Sequence, residues 1–178
     1  QLKEIQELQS RLQEQAIRDA LTGLFNRRYL DETLPRELSR AKREGYPLAL
    51  IMVDIDHFKQ VNDSLGHGMG DQVLQQVAQL LRRQLRGADL LARVGGEEFM
   101  LVFVAVTLVQ AQEICERLRL AIAGHDWASL APGLRVTVSL GLCAGAAPPR
   151  PQALVEGADQ ALYAAKRGGR DRVEFRLA

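Results

Sequence analysis

The sequence has few of the features that mark secreted, membrane-spanning or strongly charged proteins. Its 178 residues include only two cysteines and three histidines, and Cys115 and Cys143 do not have the spacing of a metal site. No apolar run reaches the ~20 residues of a membrane span, and no signal peptide is visible. The formal net charge is only +1, so charge gives no reason to expect nucleic acid or an anionic membrane as a partner. We therefore expect a cytoplasmic protein with two buried thiols and no membrane contact.

The composition supports one globular domain with an appendage. Hydrophobic residues make up 47% of the chain, which is enough to fill a core at this length. The chain opens with Gln1 inside a helical pattern rather than with Met. We therefore expect a piece of a longer protein, with a sensory domain upstream.

Residues 1–18 contain no glycine or proline, and Ile5, Leu8 and Leu12 recur at spacings of three and four. This pattern is typical of a coiled-coil seam. It predicts a stalk over residues 1–18 that joins two copies of the chain, followed by a catalytic domain over residues 19–178. Two heptads are short for such a pattern, so a helix packed on its own domain is the alternative.

The remaining elements predict an α/β (α+β) fold. We expect Asn26 to cap a helix that runs towards Glu44, with Pro35 kinking or restarting it near Leu34. The apolar run 48–53 predicts a central strand covered on both faces. The order of elements predicts a mixed, ferredoxin-like sheet flanked by helices. The later elements are a short helix within residues 54–67, a helix over 71–85, strands over 90–94 and 97–104, a helix over 111–123, a strand over 134–141, a loop over 147–151, a helix over 152–166 and an edge strand over 172–175.

Residues 93–99 combine two adjacent glycines with two adjacent acids. Gly95-Gly96 between two apolar runs is a signal for a two-residue hairpin turn, and Glu97 and Glu98 follow it directly. Asp54 ends the central strand, so its carboxylate and that of Glu97 can meet at one end of the sheet. Carboxylates beside bare backbone suit Mg²⁺ together with a phosphate, and the carbonyl of Ile55 could be a third ligand. A single acid at a strand end is more often a solvated cap.

Cations and polar groups elsewhere could complete such a site. Lys59 and the segment 166–170 could bind phosphate, although a basic run at a helix end also simply suits the helix dipole. Asn62 and Asp71 have the amide and carboxylate that can bind the edge of a guanine. The alternatives are a turn at Asn62 and a helix start at Asp71.

Five ordered motifs resemble the GGDEF family of diguanylate cyclases. Together they extend from Asp19 to Val173, which is nearly all of the chain outside the stalk. The motifs are residues 19–28, 54–63, 66–71, 93–99 and 158–173. The last one departs slightly from the family, with Asp171 where Asn is frequent.

The resemblance implies a fold of the nucleotidyl-cyclase palm type and a reaction in which two GTP molecules, one per subunit of a homodimer, condense into cyclic di-GMP with release of two pyrophosphates. Two Mg²⁺ (or Mn²⁺) ions would be bound per active site. Asp54, the Ile55 carbonyl and Glu97 would hold Mg²⁺, and Glu97 and Glu98 would be the catalytic acids. Glu97 would assist deprotonation of the ribose 3′-hydroxyl, and Glu98 would bind or bridge a second ion. The residues implied to bind GTP are Asn62 and Asp71 for guanine, Lys59, Lys166 and Arg170 for the phosphates, and Gly95 and Gly96 beside the α-phosphate.

A second implied site binds the product. Arg86-Gly87-Ala88-Asp89 resembles the family's Arg-x-x-Asp product-inhibition motif, and Arg117 resembles a further contributor; an exposed pair of little consequence is the alternative. Two other functions remain open. One is a non-catalytic module that signals by binding GTP or cyclic di-GMP, and the other is a cyclase that accepts ATP in one site.

Overall fold

The structure, a computed structural model, describes residues 1–145 and 150–178. It confirms the α+β fold, with a six-stranded mixed sheet and helices on both faces. The predicted loop 147–151 lies outside the described residues except at Arg150 and Pro151. The elements are α1 (Leu2–Ile17), β1 (Phe25–Asn26), α2 (Arg27–Glu44), β2 (Leu48–Ile55), α3 (Phe58–Leu65), α4 (His67–Arg82), β3 (Leu90–Arg93), β4 (Glu98–Val104), α5 (Leu108–Ala123), β5 (Val138–Gly145), α6 (Pro151–Arg167) and β6 (Val173–Leu177).

The strands lie in the order β1-β3-β4-β2-β5-β6. The apolar strand β2 is central, because it pairs antiparallel with both β4 and β5 and every one of its residues is buried. Alternate residues of a strand point to opposite faces. Leu50 therefore packs in a core with α2 and α6, whereas Ile51 packs in a second core with α3, α4 and α5. Asp54 and Ile55 therefore lie at the end of a central strand, beside the ends of both of its neighbours.

Asn26 caps α2 as expected, since its side chain accepts a hydrogen bond from the Tyr29 amide at 3.0 Å. The predicted restart at Pro35 is wrong, because α2 continues through it to Glu44. Proline removes one helical hydrogen bond, but Leu34 and Leu38 stay buried on either side of it. Packing of this face against the sheet therefore keeps the helix continuous.

The starts of two elements, a helix and a strand, differ from the prediction by four residues each. Helix α4 begins at His67 rather than at residue 71, because Gly66, with φ of 87°, makes the turn out of α3. Strand β5 covers residues 138–145 rather than 134–141. Its partner β2 ends at Ile55, which pairs with Val138, so the residues before Val138 have no neighbouring strand.

The hairpin between β3 and β4 does not have the predicted two-residue turn. Arg93 pairs with Phe99, and the Val94 amide donates to the Glu98 carbonyl at 2.9 Å. The loop therefore consists of residues 95–97, and both glycines have φ outside the left-handed range that a primed two-residue turn requires. The carbonyl of Glu97 accepts from the Ile55 amide at 3.2 Å instead of pairing across the hairpin. This bond ties the glycine loop to the end of β2.

Helix α1 projects from the domain with its apolar residues exposed. None of its residues, all of which belong to the described part of the chain, is buried, and Leu2, Ile5, Leu8 and Leu12 are 53–75% exposed. The alternative of a helix packed on its own domain is therefore wrong. Both cysteines are buried free thiols, as expected. Within the described ranges no helix has both the length and the apolar character needed to span a membrane.

Candidate active site

Acidic side chains meet where β2 and β4 lie side by side. Asp54 is paired in register with Glu98, and the neighbouring Glu97 is bonded through its carbonyl to Ile55. The expected meeting of acids from two strands is therefore present. In the sheet register it is Glu98, rather than Glu97, that lies directly opposite Asp54.

The acids at this strand end lie beside a single ammonium group. The Asp54 side chain is only 8% exposed, and its Oδ2 accepts from Lys166 Nζ at 2.8 Å. Partial burial and the nearby charge of Asp54 raise the pKa of Glu98, and Lys166 offsets only part of this rise. The two carboxylates therefore favour a cation beside them, and in this structure Lys166 supplies it.

The donor set fits a cation that is shared with a ligand. Among the described residues, no three side chains of the types Asp, Glu, His and Cys are grouped closely enough to hold a metal alone. Mg²⁺ typically takes one or two protein carboxylates and completes its shell with waters and substrate phosphates. The raised pKa of Glu98 beside Asp54 marks this strand end as a place where added positive charge is favourable.

Lys166 reaches Asp54 because α6 packs very closely across β5. A Cβ placed on Gly141 of β5 would overlap the backbone of α6 at Ala158 and Leu162. This contact lets the last turn of α6 approach the end of β2. Arg170 lies four residues beyond Lys166 in the turn that follows the helix, and it is exposed.

A cleft of about 390 Å³ adjoins the acids and contains most of the predicted ligand-binding residues. It lies between helices α3 and α4 and the glycine loop. Its walls place Lys59, Asn62 and Asp71 opposite Gly96 and Glu97. The other lining residues are Phe58, His67, Leu74 and Arg93.

Gly70 of α4 makes room for the amide of Asn62. A Cβ at Gly70 would overlap Asn62 Oδ1 and would lie 3.2 Å from the ring of Phe58. The helix start that was the alternative for Asp71 is not observed, since α4 begins at His67 and Asp71 lies within its second turn, facing the cleft. The geometry therefore favours a binding role for Asn62 and Asp71 over a purely local one.

Arg93 was not assigned a role from the sequence, although it lines the cleft. Its Nη2 and Nε donate to the Gly96 carbonyl at 2.8 and 3.2 Å, and its Nη1 lies 3.2 Å from Asp19 Oδ1. Burial would raise the pKa of Asp19, but hydrogen bonds from Thr22 and the charge of Arg93 lower it below its ordinary value. Arg93 thereby joins the glycine loop to the segment that follows α1. A local signal for this contact does not exist, because Asp19 is 74 residues away.

A smaller cleft of about 260 Å³ lies beside α5, and Arg86 and Arg117 are among the residues that line it. Asp89 lies behind this surface, with its side chain fully buried. Its carboxylate accepts from the backbone amides of Arg86 at 2.9 Å and Val104 at 3.2 Å. The structure therefore brings the two arginines together at an open surface and engages Asp89 internally.

Comparisons with known proteins agree on one family. The sequence model of the family described as "Diguanylate cyclase, GGDEF domain" matches residues 16–172 of this chain. The chain is 47% identical over 161 residues to the diguanylate cyclase DgcP of Pseudomonas aeruginosa, covering 90% of this chain and 24% of that protein. It is 41% identical over 169 residues to the response regulator PleD of Caulobacter vibrioides, covering 93% of this chain and 37% of that protein. The chain thus spans only about a quarter to about a third of the length of these relatives.

A solved structure also matches nearly the whole chain. This is the coiled coil and GGDEF domain of DgcB from Caulobacter crescentus in complex with c-di-GMP. The TM-score is 0.91 at 32% identity, and the match covers 98% of this chain and 93% of that one.

Proposed function

The chain belongs to the GGDEF family of diguanylate cyclases, and we propose that it condenses two GTP molecules into cyclic di-GMP with release of two pyrophosphates. The observation that carries this proposal is the continuity of one cleft with one acidic strand end. The cleft holds Asn62, Asp71 and Lys59, and Glu97 in its wall is bonded to the end of β2 beside Asp54. A guanine nucleotide in the cleft would have its phosphates directed towards these acids.

Asn62 and Asp71 would bind the guanine base. A carboxylate accepts from the N1 and N2 donors of guanine, and an amide can donate to its O6 or N7. Adenine has an acceptor at N1 and lacks the N2 amino group, so the same groups would leave it poorly paired. This pairing supports GTP over ATP as the substrate.

The phosphates would lie over the glycine loop, where Gly95 and Gly96 carry no side chains to block them. Lys59 and Lys166 would bind the phosphates as point charges, and Arg170 as a planar fork. Asp54, the carbonyl of Ile55 and Glu97 would hold Mg²⁺, or Mn²⁺, and Glu98 would contribute to a second ion. When bound, the metal would neutralise phosphate charge and make the ribose 3′-hydroxyl more acidic.

The chain's own residues then supply position and proton transfer. Lys166 Nζ, which donates to Asp54 in this structure, would donate to the phosphates when the nucleotide is bound. Glu97 would accept the proton of the 3′-hydroxyl, directly or through water. Holding the attacking hydroxyl and the α-phosphate in line supplies much of the rate enhancement.

Each cleft would hold one GTP, so the reaction requires two copies of the chain to face each other. The exposed apolar seam of α1 supports a homodimer, since it would be covered by the same residues of a second copy. We propose that residues 1–18 form the stalk and residues 19–178 the catalytic domain. The greater length of the relatives supports a sensory domain before the stalk.

Product would return to the smaller cleft and restrain the enzyme. Arg86 and Arg117 could bind its phosphates or stack on its guanines. A guanine bound at Asp89 would have to compete with the two backbone amides that already donate hydrogen bonds to this carboxylate. Added cyclic di-GMP should therefore inhibit the wild-type protein more strongly than an Arg86→Ala variant.

The proposal is tested by product analysis after incubation with GTP and Mg²⁺. We expect one cyclic di-GMP for every two pyrophosphates. Glu97→Gln should lower the rate by about 10²–10⁴-fold, the usual contribution of a positioned acid or base. Glu156→Gln, at an exposed site on α6, should not change it. A wild-type protein that binds GTP and leaves it unconverted at high protein concentration would support the non-catalytic binding module instead.

A further inference from the structure

Backbone strain is concentrated in two segments that meet at one buried carboxylate. Among residues 1–145 and 150–178, four non-glycine residues have left-handed φ, namely His57, Ala105, Arg170 and Asp171. Three of these four lie immediately after Asp56 or in the turn that follows α6. Left-handed conformations are unfavourable for such residues and persist where surrounding contacts hold them, often at functional sites.

Asp56 supplies those contacts. Its side chain is buried, and its carboxylate accepts from Ser139 Oγ at 2.6 Å, from Thr137 Oγ1 at 2.7 Å and from the Asp171 amide at 3.1 Å. The last bond joins residues 115 positions apart. It fixes the turn after α6 against the loop between β2 and α3.

Asp171 is held from a second side by α5. Arg119 Nη1 donates to Asp171 Oδ1 at 2.9 Å, and the Arg119 side chain is only 19% exposed. Position 171 is the one where the sequence departs from the Asn that is frequent in the family. An amide there could still accept a hydrogen bond, but it could not form the ion pair with Arg119. The ion pair gives the departure a structural reason in this chain.

Both segments carry the cations assigned above to the phosphates. Lys59 stands three residues after Asp56, at the start of α3, and Arg170 directly precedes Asp171. We propose that Asp56 is a positioning residue that fixes Lys59 and Arg170 relative to each other for binding of the nucleotide phosphates, with the Arg119–Asp171 pair as a second anchor of the same turn. This inference rests on the proposed function, because it deepens the account of how the GTP phosphates are bound.

The test compares a ligand that has phosphates with one that has none. We would measure, by calorimetry, the affinity for a GTP analogue with a methylene bridge between the α- and β-phosphorus, which cannot be cyclised, and for guanosine. Asp56→Ala should weaken analogue binding by about tenfold, the effect of losing one charge-assisted contact. Guanosine affinity should stay within about twofold of the wild type. A purely structural role for Asp56 would weaken both ligands equally.

Asp56→Asn provides rescue by a conservative change. Its amide oxygen can still accept from the Asp171 amide and Thr137, and its NH₂ group can donate to the Ser139 hydroxyl. This variant should therefore keep most of the affinity for the analogue. If Asp56→Ala fails to fold, a double-mutant cycle of Arg119→Gln and Asp171→Asn replaces it, with Arg28→Gln in the exposed Arg28–Glu32 pair of α2 as the control.

The cycle should show that the two substitutions are non-additive and that they weaken the analogue but not guanosine. Unchanged analogue affinity in the Asp56→Ala variant, or in the cycle, would overturn this inference while leaving the proposed function intact. A wild-type protein that binds neither ligand would overturn the proposed function, and this inference with it.

Discussion

Replacing Lys166 by Met removes the ammonium that donates to buried Asp54 at the end of β2. In the absence of metal, Asp54 would then lose its only cationic hydrogen-bond partner among the described residues. Met keeps the helix propensity and much of the length of the lysine stem. We expect the variant to be less stable than the wild type in a chelating buffer and to recover part of the loss when Mg²⁺ is added.

The size of the loss follows from the exposure of the pair. Exposed ion pairs contribute about 0.2–1 kcal/mol, whereas removing one partner of a fully buried pair costs about 3–5 kcal/mol. The Asp54 side chain is 8% exposed and that of Lys166 is 34% exposed. The expected loss in the free energy of unfolding therefore lies between these limits, at about 2 kcal/mol. For a chain of 178 residues, a loss of about 2 kcal/mol lowers Tm by roughly 4–8 °C.

The assay is thermal denaturation with and without Mg²⁺, with Arg167→Met as the matched control. Arg167 stands at the same helix end, is exposed, and contacts Tyr163 rather than the acids. Its removal should change the free energy of unfolding by no more than about 0.5 kcal/mol. Equal Tm values for Lys166→Met and Arg167→Met in chelating buffer would refute the idea that the acids depend on the Lys166 charge.

Three further predictions concern the acids, the cleft and the stalk. The fold raises the pKa of Glu98, so protonated Glu98 stabilises the protein below the ordinary pKa of about 4.3, and this stabilisation is lost as pH rises through the raised pKa. Glu98→Gln should therefore flatten this part of the profile of Tm against pH, measured without metal. An unchanged slope would contradict a raised pKa at Glu98. Gly70→Ala should displace the Asn62 amide and raise KM for GTP by about tenfold. Gly68→Ala should leave KM unchanged in steady-state assays, because a Cβ there would meet no described atom within 4 Å apart from its chain neighbours and the backbone of its own helix. Leu8→Gln should weaken self-association at least about tenfold, since each chain would lose ~1.5–3 kcal/mol of apolar burial. It should not lower the Tm of the catalytic domain. If sedimentation showed the same dimer affinity as the wild type, the proposed role of α1 as a dimeric stalk would be contradicted.

The sequence was sufficient to predict the central strand and the hairpin of the sheet, and that acids meet at one end of it, although Glu98 rather than the expected Glu97 lies opposite Asp54. The unbroken apolar run ending at Asp54 predicts a central strand, and two apolar runs around Gly95-Gly96 predict a hairpin. Both follow from local patterns, and the structure confirms them. The turn itself differs, because the bond from Ile55 to the Glu97 carbonyl depends on a strand that is distant in sequence.

Contacts between distant segments account for the rest of what could not be predicted. The bond from Lys166 to Asp54 spans 112 residues, so nothing near either residue indicates that it forms. Asp56 belonged to a recognised motif, but its hydrogen bonds to Ser139 and Asp171 require the register of β5 and the turn after α6. Similarly, the limit of β5 at Val138 depends on where β2 ends.

The measurement that tests the central claim most directly is the initial rate of cyclic di-GMP formation from GTP and Mg²⁺ as a function of protein concentration. Since each copy supplies one half of the site, the rate per molecule should rise with concentration until the dimer is saturated, with two pyrophosphates released per cyclic di-GMP. A rate per molecule that does not depend on concentration, from a protein shown to be monomeric by sedimentation over the same range, would contradict the two-copy site. GTP that remains unconverted at every concentration would contradict the proposed activity itself.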